Sequence, residues 1–360
     1  MSIKSSTMIG SLPHTDVKKA VELTLESISV PCWPQLPRVS TKEQMHIQFT
    51  ENFPGIVFNE DSQKIWVDSQ KFNNEITDFY QNFLENNIEY FRISKEYSKG
   101  FYEFTDQLSK FNNQNFRIKL QVIGPITFSF TIKTESGRAI LYDSMIKDAV
   151  VKNVVMKSLW QIKQVANCVR ERTSTVILFL DEPYLAAYGS AFAAVSREEL
   201  VAIINETISE IKKSLVNFLS EKVKFLVGVH CCANTDWSIL TDSEVDIISF
   251  DAHDFFNDFV LYSSNINTFL QKGGTIAWGI VPNNDKINSE NEEVIFNRFI
   301  DCVETLKEKK IDENLLLKNF IITPQCGLGG TSEINAKKSL TFSEKLAKKI
   351  SEYRGEKYGI

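Results

Sequence analysis

Short apolar runs alternate with amphipathic stretches along the second half of the chain. Apolar runs of this length predict buried strands, and the stretches between them have the spacing of helices. Strands are predicted at 176–180, 224–230, 246–250, 275–281 and 319–323. Helices are predicted at 197–219, with Ser196 as N-cap, near Trp237, and at 255–270, 292–309 and 337–353. Strands that alternate with helices in this way predict a parallel sheet.

Two further strands are predicted in the first half, at residues 6–10 and 117–123, and a weaker pattern at 89–93 predicts an eighth. Eight parallel strands form a TIM barrel, whereas six or seven in a flat order form a doubly wound sheet. Polar residues follow nearly every predicted strand at its carboxyl end, where a TIM barrel gathers its active site. We therefore expect an α/β protein, a single (β/α)8 TIM barrel that spans residues 1–360.

The stretch from about residue 29 to residue 68 interrupts this rhythm. It contains the prolines Pro31, Pro34, Pro37 and Pro54. Two short extended pieces, 55–59 and 64–68, flank a turn at 60–63 and predict a β-hairpin. We interpret the stretch as an insertion after the first strand, either a lid or a cap on the bottom of the barrel. The asparagine-rich segment 111–115 is predicted to be a loop.

Composition limits the classes of function. With 360 residues, 43% of them hydrophobic, the chain can bury a large core. Its net charge of -6 and its lack of basic segments interleaved with aromatics argue against nucleic acid as a partner. No apolar run approaches the ~20 residues of a membrane span, and residues 1–10 lack the apolar core of a signal peptide. Six scattered cysteines do not form a disulfide framework, so we expect a cytoplasmic protein with free thiols.

Three candidate metal ligands follow predicted strands, namely His230, Cys232 and Cys326. Alternate side chains of a strand point to the same face, so His230 and Cys232 point together and Cys231 points into the packing. Imidazole and thiolate are ligands that zinc prefers. The spacing therefore predicts a zinc site, although a buried cysteine beside a hydrogen-bonded histidine is the alternative for the first two residues alone.

An acid, Asp251, ends the strand between these two segments. It is the candidate fourth protein ligand; the alternatives are a helix N-cap and an acid that orients His230 from outside the ligand set. His253 is the alternate ligand of this segment, although a histidine in a solvent-facing loop is the simpler interpretation.

Two other strand ends carry groups that could bind a small polar substrate. Asp181 follows a very apolar strand, where a carboxylate can hold a substrate ammonium or act as a general base. In Ile9-Gly10-Ser11 the glycine lets a ligand approach main-chain N–H groups, and Gly124 offers the same. No glycine-rich nucleotide loop is present, so phosphate binding is not expected.

In their order along the chain, these motifs resemble the catalytic C-terminal barrel of cobalamin-independent methionine synthase. The matching elements are Ile9-Gly-Ser11, Gly124-Pro-Ile-Thr127, Asp181-Glu-Pro183, His230-x-Cys232, a strand-end acid and Cys326-Gly-Leu328. That barrel is grouped with uroporphyrinogen decarboxylase and with the zinc methyltransferases that act on coenzyme M. The resemblance covers essentially the whole chain, and its His-x-Cys and Cys-Gly-Leu elements are specific to the zinc-dependent members.

The resemblance implies a role for each matched residue. It implies zinc ligands at His230, Cys232 and Cys326, with Asp251 where the family has a ligating glutamate. Ile9 and Ser11 would meet the carboxylate of an amino-acid acceptor, and Asp181 would bind its ammonium. The family places a second acid on the ammonium, for which Glu60 and Glu103 are the candidates in this sequence.

Three departures concern the methyl donor. The family's full-length enzyme has a second, N-terminal barrel that helps to hold a polyglutamylated folate, and this chain begins at the catalytic barrel's first strand. The family's proton-donating histidine has no counterpart in the loop 279–285, and its folate-stacking tryptophan has none that can be assigned. A corrinoid donor, either methylcobalamin or a methylated corrinoid protein, would need neither.

We therefore predict a zinc-dependent methyltransferase that transfers a methyl group to the thiol of homocysteine and so forms methionine. One alternative is another thiol acceptor, such as coenzyme M. A second is a porphyrin decarboxylase, which would need a wide cleft with several basic side chains and no metal. A third is a non-catalytic barrel that binds zinc or a corrinoid partner.

Overall fold

The computed structural model describes residues 4–110, 116–169, 172–190 and 194–358, so the loop predicted at 111–115 lies outside the described residues. The strands are β1 (Lys4–Ser6), β2 (Ile56–Asn59), β3 (Lys64–Val67), β4 (Phe116–Ile123), β5 (Thr173–Asp181), β6 (Lys224–Cys231), β7 (Ile247–Phe250), β8 (Thr275–Val281) and β9 (Phe320–Pro324). The α-helices are α1 (Val17–Ser27), α2 (Met45–Gln48), α3 (Ser69–Leu84), α4 (Lys99–Lys110), α5 (Pro125–Thr131), α6 (Ser144–Val169), α7 (Arg197–Ser214), α8 (Ser238–Thr241), α9 (Phe256–Val260), α10 (Ser263–Gln271), α11 (Glu292–Glu308), α12 (Glu313–Lys318) and α13 (Glu333–Tyr358).

Seven strands form one parallel sheet in the order β1-β9-β8-β7-β6-β5-β4. From β4 to β9 each strand lies beside the next one in sequence, and helices connect them. The prediction of a parallel α/β sheet is therefore confirmed. The strand at 275–281 has the predicted bounds, and Ser196 caps α7 by accepting from the Glu199 amide. The first strand is predicted at 6–10 but lies at Lys4–Ser6, so the prediction shares only Ser6 with the strand that pairs with β9.

An extended segment, residues 29–35, lies between the two edge strands β1 and β4; we call it the seam segment. On one side Val30 N–H donates to the Ser6 carbonyl at 3.0 Å, and on the other Lys119 N–H donates to the Pro31 carbonyl at 2.9 Å. These bonds join the edges and curl the sheet. The prolines of the segment have no N–H to donate, so it pairs only in part and does not form a complete strand.

Two predictions about the sheet are wrong: the position of an eighth strand, and the role of residues 29–35. Residues 89–93 do not supply an eighth strand; Ile88–Phe91 form a 3₁₀ turn that packs against α6. The buried Ile88 and Phe91 produced the apolar pattern that imitates a strand. Residues 29–35, which the sequence assigns to an insertion, instead bridge the sheet. The hairpin predicted after them is confirmed, since β2 and β3 pair antiparallel.

The two faces of the sheet are buried differently. Alternate strand residues pack with the helices in one large apolar core. The residues between them form a separate cluster on the opposite face, made of Val30, Ile177, Phe179, Leu226, Ile247, Ala277 and Ile321. Val30 shows that the seam segment contributes to this inner face. No helix in the described ranges combines the length and the apolar character that crossing a membrane requires.

Candidate metal centre

Three of the predicted ligands meet at the carboxyl ends of β6 and β9. His230 lies in β6, Cys232 directly follows that strand, and Cys326 lies two residues beyond β9. Their ligand atoms all lie within 4.8 Å of one another. Side chains separated by 96 positions in the chain therefore converge because their strands end at the same edge of the sheet.

The imidazole of His230 is oriented from β7. Its Nδ1 lies 3.0 Å from the hydroxyl oxygen of Ser249, which is its register partner on β7. Its Nε2 is buried and has no hydrogen-bond partner among the described residues. A buried ring nitrogen without a partner costs about 1–3 kcal/mol, which metal ligation would offset. This unpartnered nitrogen beside two thiols fits a zinc ion.

The two thiols act as a pair. A hydrogen bond from Cys326 lowers the pKa of Cys232, and the same bond, together with burial, raises the pKa of Cys326. Zinc binding would require both thiols to lose their protons. Cys231 is fully buried in the helix-side core, as the strand alternation predicted.

Asp251 is not among the residues that converge. Its Oδ1 accepts the amides of His253 and Asp254, each at 2.9 Å, and the Gln325 amide group contacts both of its oxygens. These contacts favour the turn-capping alternative, and Ser249 rather than Asp251 orients His230. The His253 ring contacts Asp254 and Glu290 and also lies outside the group of three.

A cavity of about 300 Å³ lies over the three ligands. The chain after β1 supplies one wall, which includes Ile9, Ser11, Gln35, Glu43 and Met45. Asp181, Pro183 and the three ligands supply the other. No lysine or arginine of the described residues lines this cavity. The predicted substrate residues Ile9, Ser11 and Asp181 therefore face the predicted ligands, and Gly10 lies between the first two.

Asp181 is 3% exposed, and its Oδ1 is buried without a hydrogen-bond partner in the part of the chain that the structure describes. Burial raises the pKa of its carboxyl to about 6, while Lys119 and His230 oppose that shift. A second buried atom in need of a partner thus faces the same cavity as the Nε2 of His230. The arrangement suits a ligand that carries a hydrogen-bond donor.

The neighbouring Glu182 explains the glycine at position 124. Its carboxylate accepts the amides of Ile126 at 2.9 Å and Thr127 at 2.6 Å, and so caps the start of α5. A Cβ on Gly124 would lie 2.1 Å from that carboxyl group. Gly124 therefore makes room for Glu182, and it does not line the cavity.

Glu43 is the cavity acid that the sequence did not reveal. It is fully buried in the 3₁₀ turn Thr41–Glu43 and accepts the amides of Leu36 and Lys99, both at 2.9 Å. Burial raises the pKa of its carboxyl to about 7. The two acids named from the sequence, Glu60 and Glu103, do not line the cavity. The turn lies in the irregular stretch after β1, where no periodicity marks which side chains point inward.

Comparisons with known proteins inform the fold alone. No family model matches the chain, and no curated protein matches it in sequence. A methyltransferase from Methanosarcina mazei has a similar structure, with a TM-score of 0.53 and 11% identity over 96% of this chain and 93% of that chain. A beta-mannanase from Alicyclobacillus acidocaldarius covers 99% of this chain and 97% of its own at 11% identity, but its TM-score of 0.39 carries no argument. The first likeness supports the curled α/β architecture.

Proposed function

We propose that the protein is a zinc-dependent methyltransferase that transfers a methyl group from a methylated corrinoid to the thiol of homocysteine. The observation that carries this proposal is the convergence of a buried, unpartnered imidazole nitrogen and two thiols beneath a cavity. The similar structure of a methyltransferase agrees with the reaction class.

Zinc held by His230, Cys232 and Cys326 would leave a position for the acceptor's sulfur and would stabilise its thiolate form at neutral pH. The chain's own residues would orient the acceptor. Asp181 would accept from its ammonium, and the Ile9–Ser11 main chain would meet its carboxylate. A cavity of about 300 Å³ is at the small end of ligand pockets and suits an acceptor of this size.

The transfer balances as one displacement. A lone pair on the thiolate sulfur forms the new bond to the methyl carbon. The cobalt–carbon bond of the methylated corrinoid breaks, and both of its electrons leave with cobalt, which goes from Co(III) to Co(I). The thiol proton is released to solvent before transfer. The enzyme's contribution is to hold the sulfur and the methyl carbon in line and to exclude water.

The charge of the cavity distinguishes this acceptor from coenzyme M. Coenzyme M has no ammonium for Asp181 to hold, and its sulfonate would lie in a cavity whose described lining presents carboxylates without lysine or arginine. The same feature argues against porphyrin decarboxylation, which would need a wide basic cleft. A non-catalytic zinc carrier would not need Asp181, Ile9 and Ser11 to line a cavity over the candidate metal ligands.

The test is an assay of zinc-loaded protein with homocysteine or coenzyme M, each against methylcobalamin and methyl-folate. We expect methionine from homocysteine and methylcobalamin. Methionine from methyl-folate alone would contradict the corrinoid donor. Turnover only with coenzyme M would contradict the acceptor. Zinc binding without turnover in any combination would favour the non-catalytic alternative, unless a methylated corrinoid protein restores activity.

A further inference from the structure

Lys119 is a fully buried lysine on the inner side of β4. Its Nζ donates to the Ile9 carbonyl at 2.6 Å and lies 3.4 Å from Gln121 Oε1 and 3.7 Å from Cys32 Sγ. It also stands 4.6 Å from the centroid of the Phe179 ring. No carboxylate oxygen of the described residues lies within 4.0 Å of this ammonium. The charge of Lys119 acts on the buried carboxylate of Asp181, but its closest contact is the Ile9 carbonyl.

The shortest bond of Lys119 reaches a residue of the cavity wall. Ile9 lines the cavity, and its carbonyl oxygen points back to the buried ammonium. The peptide bond after it is trans, and a trans peptide directs its N–H opposite to its C=O. The Gly10 N–H therefore points away from Lys119. A cation on the carbonyl also polarises the peptide and strengthens its N–H as a donor.

Gly10 occupies a position that leaves little room for a side chain. A Cβ there would lie 2.6 Å from Gln35 Oε1 and 3.5 Å from the Gln121 side chain. The Gln35 and Gln121 side chains fill the space that a Cβ would need, and Ile9 and Ser11 on either side of Gly10 line the cavity. A carboxylate in the cavity would meet backbone N–H groups here, since no cationic side chain lines the wall.

We propose that Lys119 is a positioning residue that brings positive charge to the acceptor's carboxylate through the Ile9–Gly10 peptide, without touching the acceptor. The inference rests on the proposed function, because it takes an amino-acid thiol as the acceptor. It adds a residue that acts from beneath the cavity and sets specificity for acceptors that carry a carboxylate. The bond from Nζ to Ile9 O aligns the peptide, and its charge strengthens the Gly10 N–H.

The test compares two thiols that differ only in the carboxylate, homocysteine and 3-aminopropane-1-thiol. Calorimetric titration of zinc-loaded protein without a methyl donor measures the affinity for each. In Lys119→Met we expect homocysteine to bind about tenfold more weakly or worse, the range of a hydrogen bond to a charged group. Lys119 also opposes the raised pKa of Asp181, so its loss should weaken the ammonium contact that both thiols share. That shared loss cancels in the ratio of the two affinities, which should therefore shift about tenfold against homocysteine.

Lys157→Met is the matched control. Lys157 is also a fully buried lysine, on α6, and donates to the carbonyls of Phe91 and Arg92 at 3.4 Å, away from the cavity. Its loss should leave the ratio of the two affinities unchanged. If Lys119→Met does not fold, judged by circular dichroism, Lys119→Gln keeps a donor to Ile9 without the charge and is judged by the same ratio.

The outcomes separate this inference from the proposed function. Equal weakening of both thiols, or no weakening of homocysteine, would overturn the role of Lys119 and leave the acceptor intact. Wild-type protein that binds both thiols equally would also overturn it, because no carboxylate recognition would exist. Wild-type protein that binds neither thiol would overturn the proposed acceptor, and the role of Lys119 with it.

Discussion

The curled sheet has a regular side and an irregular side, and the cavity lies where they meet. On the regular side, β5 to β9 pair in parallel, with one register shift between β8 and β9. Asp181 and His230 lie near the carboxyl ends of their strands, and Cys326 lies two residues beyond β9. On the irregular side, the chain from 7 to 45 contains helix α1 but no strand, and scattered backbone bonds hold the rest of it. The candidate ligands come from the first side and most of the opposite wall comes from the second.

This division matches what each task needs. Metal ligands must be held in a fixed geometry, and residues on regular elements are positioned more accurately than those on loops. His230 lies on a paired strand, and Cys232 and Cys326 lie within two residues of strand ends. A main chain that is not fully paired in a sheet keeps N–H groups available for a substrate. We infer that the regular side determines which metal binds and that the irregular side determines which acceptor binds. Substitutions on the two sides should therefore have separable effects.

The largest effect is expected from Cys326→Ser. A serine hydroxyl is a poor zinc ligand beside a thiolate and an imidazole, so most of the zinc and all measurable methyl transfer should be lost. Metal analysis should fall from about one zinc per chain in wild-type protein, by the logic of a single site. Cys168→Ser is the control, because Cys168 lies on α6, outside the group of candidate ligands. Full zinc retention in Cys326→Ser would contradict the assignment of Cys326 as a zinc ligand.

Sequence periodicity predicted the regular side well and the irregular side poorly. Apolar runs identified β4 to β9, and strand alternation placed His230 and Cys232 on one side and Cys231 on the other. The convergence of Cys326 followed from parallel strand ends. Periodicity carries no such information for segments whose bonds depend on distant partners.

The seam segment and Glu43 show where prediction from sequence periodicity fails. Val30 bonds to Ser6, 24 positions earlier, and the Pro31 carbonyl bonds to Lys119, 88 positions later, so neither contact appears in the local pattern. The proline-rich composition instead suggested an insertion. For Asp251 the sequence leaves a ligand and a cap as alternatives, and the structure shows its carboxylate accepting the amides of the turn that follows it.

Asp181→Asn tests whether Asp181, which lies where the two sides meet, binds the acceptor and not the metal. Asparagine keeps the shape of the side chain but removes the charge that would hold the acceptor's ammonium. We expect the affinity for homocysteine to fall about tenfold to a hundredfold, the cost of a charged hydrogen bond. Zinc content should stay unchanged, because Asp181 is outside the group of three. A loss of zinc in this variant would instead move Asp181 into the ligand set.

Glu43→Gln tests the irregular side through the pH dependence of the unfolding free energy. Burial raises the pKa of Glu43 from 4.5 to about 7, so the folded protein binds this proton more tightly than the unfolded chain. The stability gained from that proton is present below pH 4.5 and is lost as pH rises through about 7. From pH 5 to pH 8, wild-type protein should therefore lose about 2 kcal/mol of unfolding free energy relative to the variant.

Urea unfolding at the two pH values measures this difference. Glu60→Gln is the control, since the Glu60 side chain is 65% exposed and its substitution should leave the pH dependence of wild type. If the unfolding free energies of wild type and Glu43→Gln depended on pH in the same way, the pKa of Glu43 would not be raised by burial.

The smallest effect, expected on the regular side, comes from Ser249→Ala. The hydroxyl of Ser249 contacts Nδ1 of His230, so its removal frees the imidazole to rotate and leaves Nδ1 without its partner. Loss of such a support lowers metal affinity by about tenfold or somewhat more, which chelator competition can measure. Ser158→Ala is the control, because that buried hydroxyl bonds only to the Val154 carbonyl of its own helix. Homocysteine affinity at saturating zinc should be nearly unchanged in Ser249→Ala. A drop in homocysteine affinity without a drop in zinc affinity would contradict the role of Ser249 in metal binding. A residue of the regular side would then act on the acceptor and not on the metal.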